Sequence, residues 1–189
     1  IIAAAAIALE LGIIDEAEAG KYDITIVSQN DDEDESEKGF KFSSSVSQRI
    51  ATESETSVIV AKALEENQGH LVCLSGSVAS LNMARNDAIM AVRCNCPVYL
   101  FTVVPDEESM EKGQAIIDEA RMVIEDAGYS IAGEKIGVGD KLEQIVEEGK
   151  KHSLIVLSGE HKVGFKRFFK SSLLFKVLEN AHNSVMIRR

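Results

Sequence analysis

Hydroxyls and glycines gather where short apolar runs end in this sequence, and they are the residues best placed to hold a ligand. Ser75-Gly76-Ser77 follows His70–Leu74, Ser158-Gly159 follows Leu154–Leu157, and Ser172 precedes a helical stretch. Glycines let backbone N–H groups approach an anion, and hydroxyls or helix-start amides can bind one. Ser77 and Ser172 are better explained as helix caps that need no ligand. Catalysis has less support. His70, His152, His161 and His182 have no recognisable nucleophile or acid partner in the sequence, and neither a P-loop nor a Gly-x-Gly-x-x-Gly fingerprint is present. No catalytic residue is assigned, and an enzyme is not expected. Cys73, Cys94 and Cys96 are an odd number without framework spacing, which points to free thiols in a reducing cytoplasm. Cys94 and Cys96 would be half a metal site, but no second Cys/His pair stands at ligand spacing. Ordinary packing is the expectation, with no metal ligand assigned.

The elements that must position these residues are legible from residue 70 onward. His70–Leu74, Pro97–Val104, Tyr129–Val138, Leu154–Leu157 and Ser184–Ile187 are short apolar runs bounded by turn residues. Between them lie helical spacings: Leu81, Ala84, Ala88, Ile89 and Val92, then Ala115, Ile116, Ala120, Val123 and Ile124, then stretches from Asp140 and Ser172. Continuous apolar strands alternating with helices predict an α/β fold, a doubly wound parallel sheet covered on both faces. Ligands of such sheets sit beyond the carboxyl ends of the strands. The candidate crevice is therefore Ser75, Gly76, Ser77, Val103, Val104, Ser158, Gly159 and Ser172.

The first third repeats the end of that unit. Lys21–Ser28 aligns with Lys151–Ser158, Phe42–Val46 with Phe169–Leu173, and Thr56–Val60 with Asn183–Ile187. The spacing from Phe42 to Thr56 equals that from Phe169 to Asn183, and only the preceding loop differs in length. Residues 1–66 thus read as a partial unit with the last helix, strand four, a loop, a helix and strand five. Residues 70–189 read as the complete one.

The complete segment resembles the universal stress protein family. The resemblance rests on Leu71–Ser80, on Val138–Ile145, and on Gly164–Ser172 through Lys176–Leu178 and Val185–Ile187. It implies five parallel strands in order 3-2-1-4-5, preceded here by a partial second copy as in tandem members, and pairing of units through strand five. ATP-binding members carry a glycine motif after strand four. Its three glycine positions fall here on Ser158, His161 and Ser171, leaving only the final hydroxyl, Ser172. The family's acidic residue at the end of strand one is replaced by Ser75. Tight ATP binding is not expected, and no cofactor is assigned.

Charge bears on partners. The formal net charge is −11, and residues 1–69 carry 15 acidic against 5 basic side chains. An acidic chain makes nucleic acid a poor partner. Asp31–Glu37 holds six acids in seven residues, whereas the equivalent loop of the second unit holds His161, Lys162, Lys166, Arg167 and Lys170. Opposite signs in equivalent loops suggest charge-complementary docking, although two solvated loops are the plainer reading. Val58 and Val60 in the first strand five, and Val185 and Ile187 in the second, would lie on apolar sheet edges that proteins normally cover. They are expected to pair antiparallel, inside the chain as a pseudo-dimer or across a homodimer. The opening Ile1–Leu9 is too short to span a membrane, which takes about 20 residues. Starting without Met, the chain reads as part of a larger protein. The resemblance extends to soluble tails of membrane transporters such as cation–chloride cotransporters, amino-acid permeases and cation/proton antiporters. The expected function is a regulatory and dimerisation module with a degraded nucleotide motif. The alternative is a free-standing tandem stress protein that binds an adenine nucleotide.

Overall fold

Alternation of β-branched runs with helices folds as the pattern requires, into a sheet with helices on both faces. The computed structural model describes residues 12–20, 22–28, 44–62, 68–159 and 172–189. The acidic loop 31–37, the basic loop with His161, Lys162, Lys166, Arg167 and Lys170, the aligned Ser171, and the apolar start 1–9 lie outside the described residues.

The first part contributes a helix over 12–19 (α1), strand β1 (Ile24–Ser28), helix α2 (Ser44–Glu53) and strand β2 (Ser57–Ala61). The second contributes β3 (His70–Leu74), α3 (Val78–Arg93), β4 (Val98–Val104), α4 (Met110–Asp126) and β5 (Gly133–Val138). It closes with α5 (Lys141–Gly149), β6 (Leu154–Ser158), α6 (Leu173–Asn180) and β7 (Ser184–Arg188). The ends of β1 fall on the residues aligned with the ends of β6, and those of β2 on the residues aligned with the ends of β7.

The seven strands of the described residues form one sheet in order β1-β2-β7-β6-β3-β4-β5. Within 70–189 the order is 3-2-1-4-5 and every pairing is parallel. The sheet does not stop at β7. β2 continues it in the antiparallel sense, with Val58 opposite Ile187, Ile59 opposite Met186 and Val60 opposite Val185. Ile59 and Met186 are equivalent residues in the aligned sequences, so the junction has a pseudo-two-fold axis between them.

Side-chain alternation along the strands splits the core. Leu71, Phe101, Ile155, Leu157, Val185 and Ile187 pack with helices α1, α2, α5 and α6 on one face. Val72, Leu100, Val156 and Met186 pack with α3 and α4 on the other. The helix stripes differ from those read in the sequence. α4 buries Gly113, Ile117, Ala120 and Ile124, while Ala115 is exposed. Gly113 sets that phase: a Cβ there would stand 2.9 Å from Val104 Cγ1, so the helix lies close to β4 at this point. α3 buries Met83, Ala84, Asp87, Ala88 and Ala91, and leaves Val92 exposed. The third strand begins at Gly133 rather than near Tyr129.

Candidate functional site

The carboxyl ends of β3, β4 and β6 open into a cavity of about 400 Å³. Ser75, Ser158 and Ser172 line it, joined by Val103, Thr102 and Lys141. Three of the serines proposed from sequence therefore meet at one opening. Ser172 is the N-cap of α6, its Oγ accepting from the Phe175 N–H at 3.2 Å. Ser77 caps α3 in the same way through the Ser80 N–H at 3.2 Å, and shares a 3.0 Å contact with the Ser75 hydroxyl. These hydroxyls are committed to helix ends, as the capping reading anticipates.

Other candidates stand elsewhere. Gly76 has a positive φ of 76° and lies beneath Ile116 of α4, where its lack of a Cβ permits both the turn and the contact. Val104 is buried against α4, outside the lining of the cavity. Gly159 donates its N–H to the Arg188 carbonyl at 2.8 Å, and a Cβ on it would overlap the Arg189 guanidinium. Lys141, at the first turn of α5, supplies the cavity with a cation that sequence reading did not include. Its signal was present: Gly139-Asp140 marks a helix start at the carboxyl end of a strand, and the next side chain faces the crevice.

The edge residues Val58, Val60, Val185 and Ile187 are fully buried at the β2–β7 junction. Its flanks are reciprocal. Lys62, just after β2, donates through Nζ to the carbonyls of Leu178 and Ala181 at the end of α6, at 2.7 and 2.6 Å. Arg189, just after β7, donates to the carbonyls of Ala51, Thr52 and Ser54 at the end of α2, at 3.0–3.1 Å. Ala51 and Ser54 align with Leu178 and Ala181. The backbone follows suit: Lys62 N–H donates to Ser184 Oγ and Arg189 N–H to Ser57 Oγ, both at 3.1 Å. Helix C-termini leave carbonyls unpaired and carry partial negative charge, so a cation placed there satisfies both needs. Burial pushes the Arg189 guanidinium below its ordinary value.

Away from the crevice, His70 has the acid partner that sequence did not reveal. Its Nδ1 lies 3.1 Å from both carboxylate oxygens of Asp87, and both side chains are buried. Periodicity hides this pair, because Asp87 interrupts an otherwise apolar stripe and His70 precedes it by most of two elements.

No family profile matches the sequence, and no curated protein matches it. Solved structures do match in shape. A universal stress protein in complex with cAMP superposes with a TM-score of 0.55 at 23% identity, over 65% of this chain and 96% of its own. A putative universal stress protein from Pseudomonas aeruginosa gives 0.68 at 13% identity, over 93% of this chain and 66% of its own. One from Archaeoglobus fulgidus gives 0.66 at 14%, over 95% and 64%. The chain thus spans nearly all of a short relative in fold and about two thirds of longer ones. Its fold is that of the universal stress proteins.

Proposed function

We propose that this chain is a non-enzymatic regulatory module of universal stress protein type, whose complete unit and partial unit are locked together as an internal pseudo-dimer with a degraded nucleotide motif. The observation that carries this reading is the path of Arg189. It crosses Gly159, the one glycine next to β6, to reach the end of α2. The Cβ-free backbone after β6, which is out of register with the family's glycine positions, is thereby given to an internal contact. Ser158, His161 and Ser171 stand where nucleotide-binding members have glycine, which agrees with that use. The matched ends of β1 with β6 and of β2 with β7 support the tandem reading.

The alternative, an adenine-nucleotide-binding tandem protein, draws support from the cavity at the crevice, its lysine, and the cAMP complex of a protein similar in fold. Calorimetry with Mg-ATP and with cAMP separates the two. No saturable heat below millimolar nucleotide is expected; micromolar affinity for either would overturn the degraded-site reading. We place the module in the cytosolic part of a larger, transporter-type protein. Among the described residues no helix is long and apolar enough to cross a membrane. Hydrophobic spans encoded upstream in the parent gene would support that setting, and an upstream reading frame without any would refute it.

A further inference from the structure

At the amino ends of β3 and β4, opposite the crevice, one ring nitrogen of His70 and the sulfurs of Cys94 and Cys96 lie within 4.8 Å of one another. We propose that these three side chains bind one thiophilic d10 cation, zinc(II) or copper(I), with Asp87 as a positioning residue. The backbone builds the convergence. Cys94 is the C-cap of α3, and Asn95 adopts φ 55°, a left-handed conformation that Asn tolerates better than most residues. The chain then turns back, with the Cys96 N–H donating to the Ala91 carbonyl at 2.9 Å. That reversal brings the two thiols of the Cys-x-Cys to one side, beside the first residue of β3.

The imidazole is held as a ligand would be. Asp87 fixes Nδ1 from two oxygens, and the side chains of His70 and Asp87 are only 6% and 0% exposed. A proton held on Nδ1 leaves the lone pair of Nε2 for a metal, the arrangement metal-bound histidines commonly show. One imidazole and two thiolates form a soft donor set that suits zinc or copper(I), not magnesium or calcium. Zinc with sulfur at ~2.3 Å and nitrogen at ~2.0 Å spaces its ligands roughly 3.5–3.8 Å apart. The longest separation must therefore close by about 1 Å. Cys94 is exposed and Cys96 half-buried, so a χ1 rotation can make that movement and an ion can enter. Three protein ligands leave the fourth position of a tetrahedral zinc ion to water or another ligand, unlike a closed structural site.

The test is titration of the whole reduced chain with cobalt(II), zinc(II) and copper(I), each alone, the last two against chromophoric chelators. One equivalent per chain is expected, with a thiolate-to-cobalt charge-transfer band in the near ultraviolet. Cys94→Ser and Cys96→Ser should each cut the band by at least half and weaken binding. Asp87→Asn should weaken affinity about 10–100-fold with the band retained. Exposed Cys94 can be changed without disturbing the core, so its variant decides the matter even if Asp87→Asn unfolds. Saturation by zinc or copper(I) through these residues supports the site. Stoichiometric binding by neither ion, or binding unchanged in Cys94→Ser, overturns it.

Discussion

Single residues here act through what they leave open or unpaired. Gly159 matters because it has no side chain, and Arg189 because its guanidinium fills that space. His152 is the opposite case, a buried ring whose Nδ1 has no hydrogen-bond partner among the described residues. It packs at a tilt against Tyr99, with ring centroids 4.8 Å apart and planes 57° from parallel, and its Nε2 stands 3.8 Å from Glu148 Oε1. Burial pushes the imidazole below its ordinary value, with Lys151 adding to that effect and the Gln68 backbone and Glu148 opposing it. The sign follows. Above about pH 6.5 His152 is neutral in both folded and unfolded chains and costs nothing. As pH falls, the unfolded chain takes up the proton first, so stability declines until the depressed folded value is passed. Glu148 acts lower. Burial works against its charge, but hydrogen bonds from Lys135 and Lys151 still hold its carboxyl below the usual range. Melting temperature should therefore drop between about pH 7 and pH 5, and His152→Gln should flatten that part of the curve. Equal slopes in both proteins would show that His152 is not the group responsible.

At the scale of elements, each half terminates the other's last helix. Lys62 covers the carbonyls at the end of α6, and Arg189 those at the end of α2. Arg189→Ala leaves the carbonyls of Ala51, Thr52 and Ser54 at the end of α2 without this donor and should cost about 1–3 kcal/mol. Hydrogen exchange should quicken in α2 and β2 more than in α6, whereas Lys62→Ala should reverse the bias. If the two variants gave the same exchange pattern, the clamps would not be local to the helices they cap. The helix stripes show what sequence periodicity can and cannot read. That α3 and α4 are amphipathic was legible, because apolar spacing determines it. Their rotation was not, because Gly113 beneath Val104 and the buried Asp87 beside His70 set it through contacts distant in sequence.

For the whole molecule, the β2–β7 junction makes one seven-stranded sheet from two unequal parts. A two-stranded unit is marginal by itself in water, so the first part depends on this junction. β1 remains at the edge, with Ile26 68% exposed. The segment 70–189 carries five strands of its own. Expressed as residues 68–189, it should fold and present Val185, Met186 and Ile187 on an open edge. Such an edge is a template for pairing. Light scattering should then report a homodimer, while the full chain should show no association through this strand. A native, monomeric 68–189 at high micromolar concentration would mean that β7 does not need a partner.

The sequence by itself determined the alternation of strands with helices and the apolar cores of the strands. Those are properties of short-range pattern: apolar runs, turn residues and the absence of a Cβ are visible one window at a time. Tertiary structure alone decided that β2 meets β7 inside one chain, that Arg189 occupies the space above Gly159, and that Lys141 joins Ser75, Ser158 and Ser172 at the crevice. It also decided that His70 meets Asp87, Cys94 and Cys96. Each of these is a contact between residues far apart in the chain, created when strand register and helix rotation are set together, and no local pattern encodes that geometry.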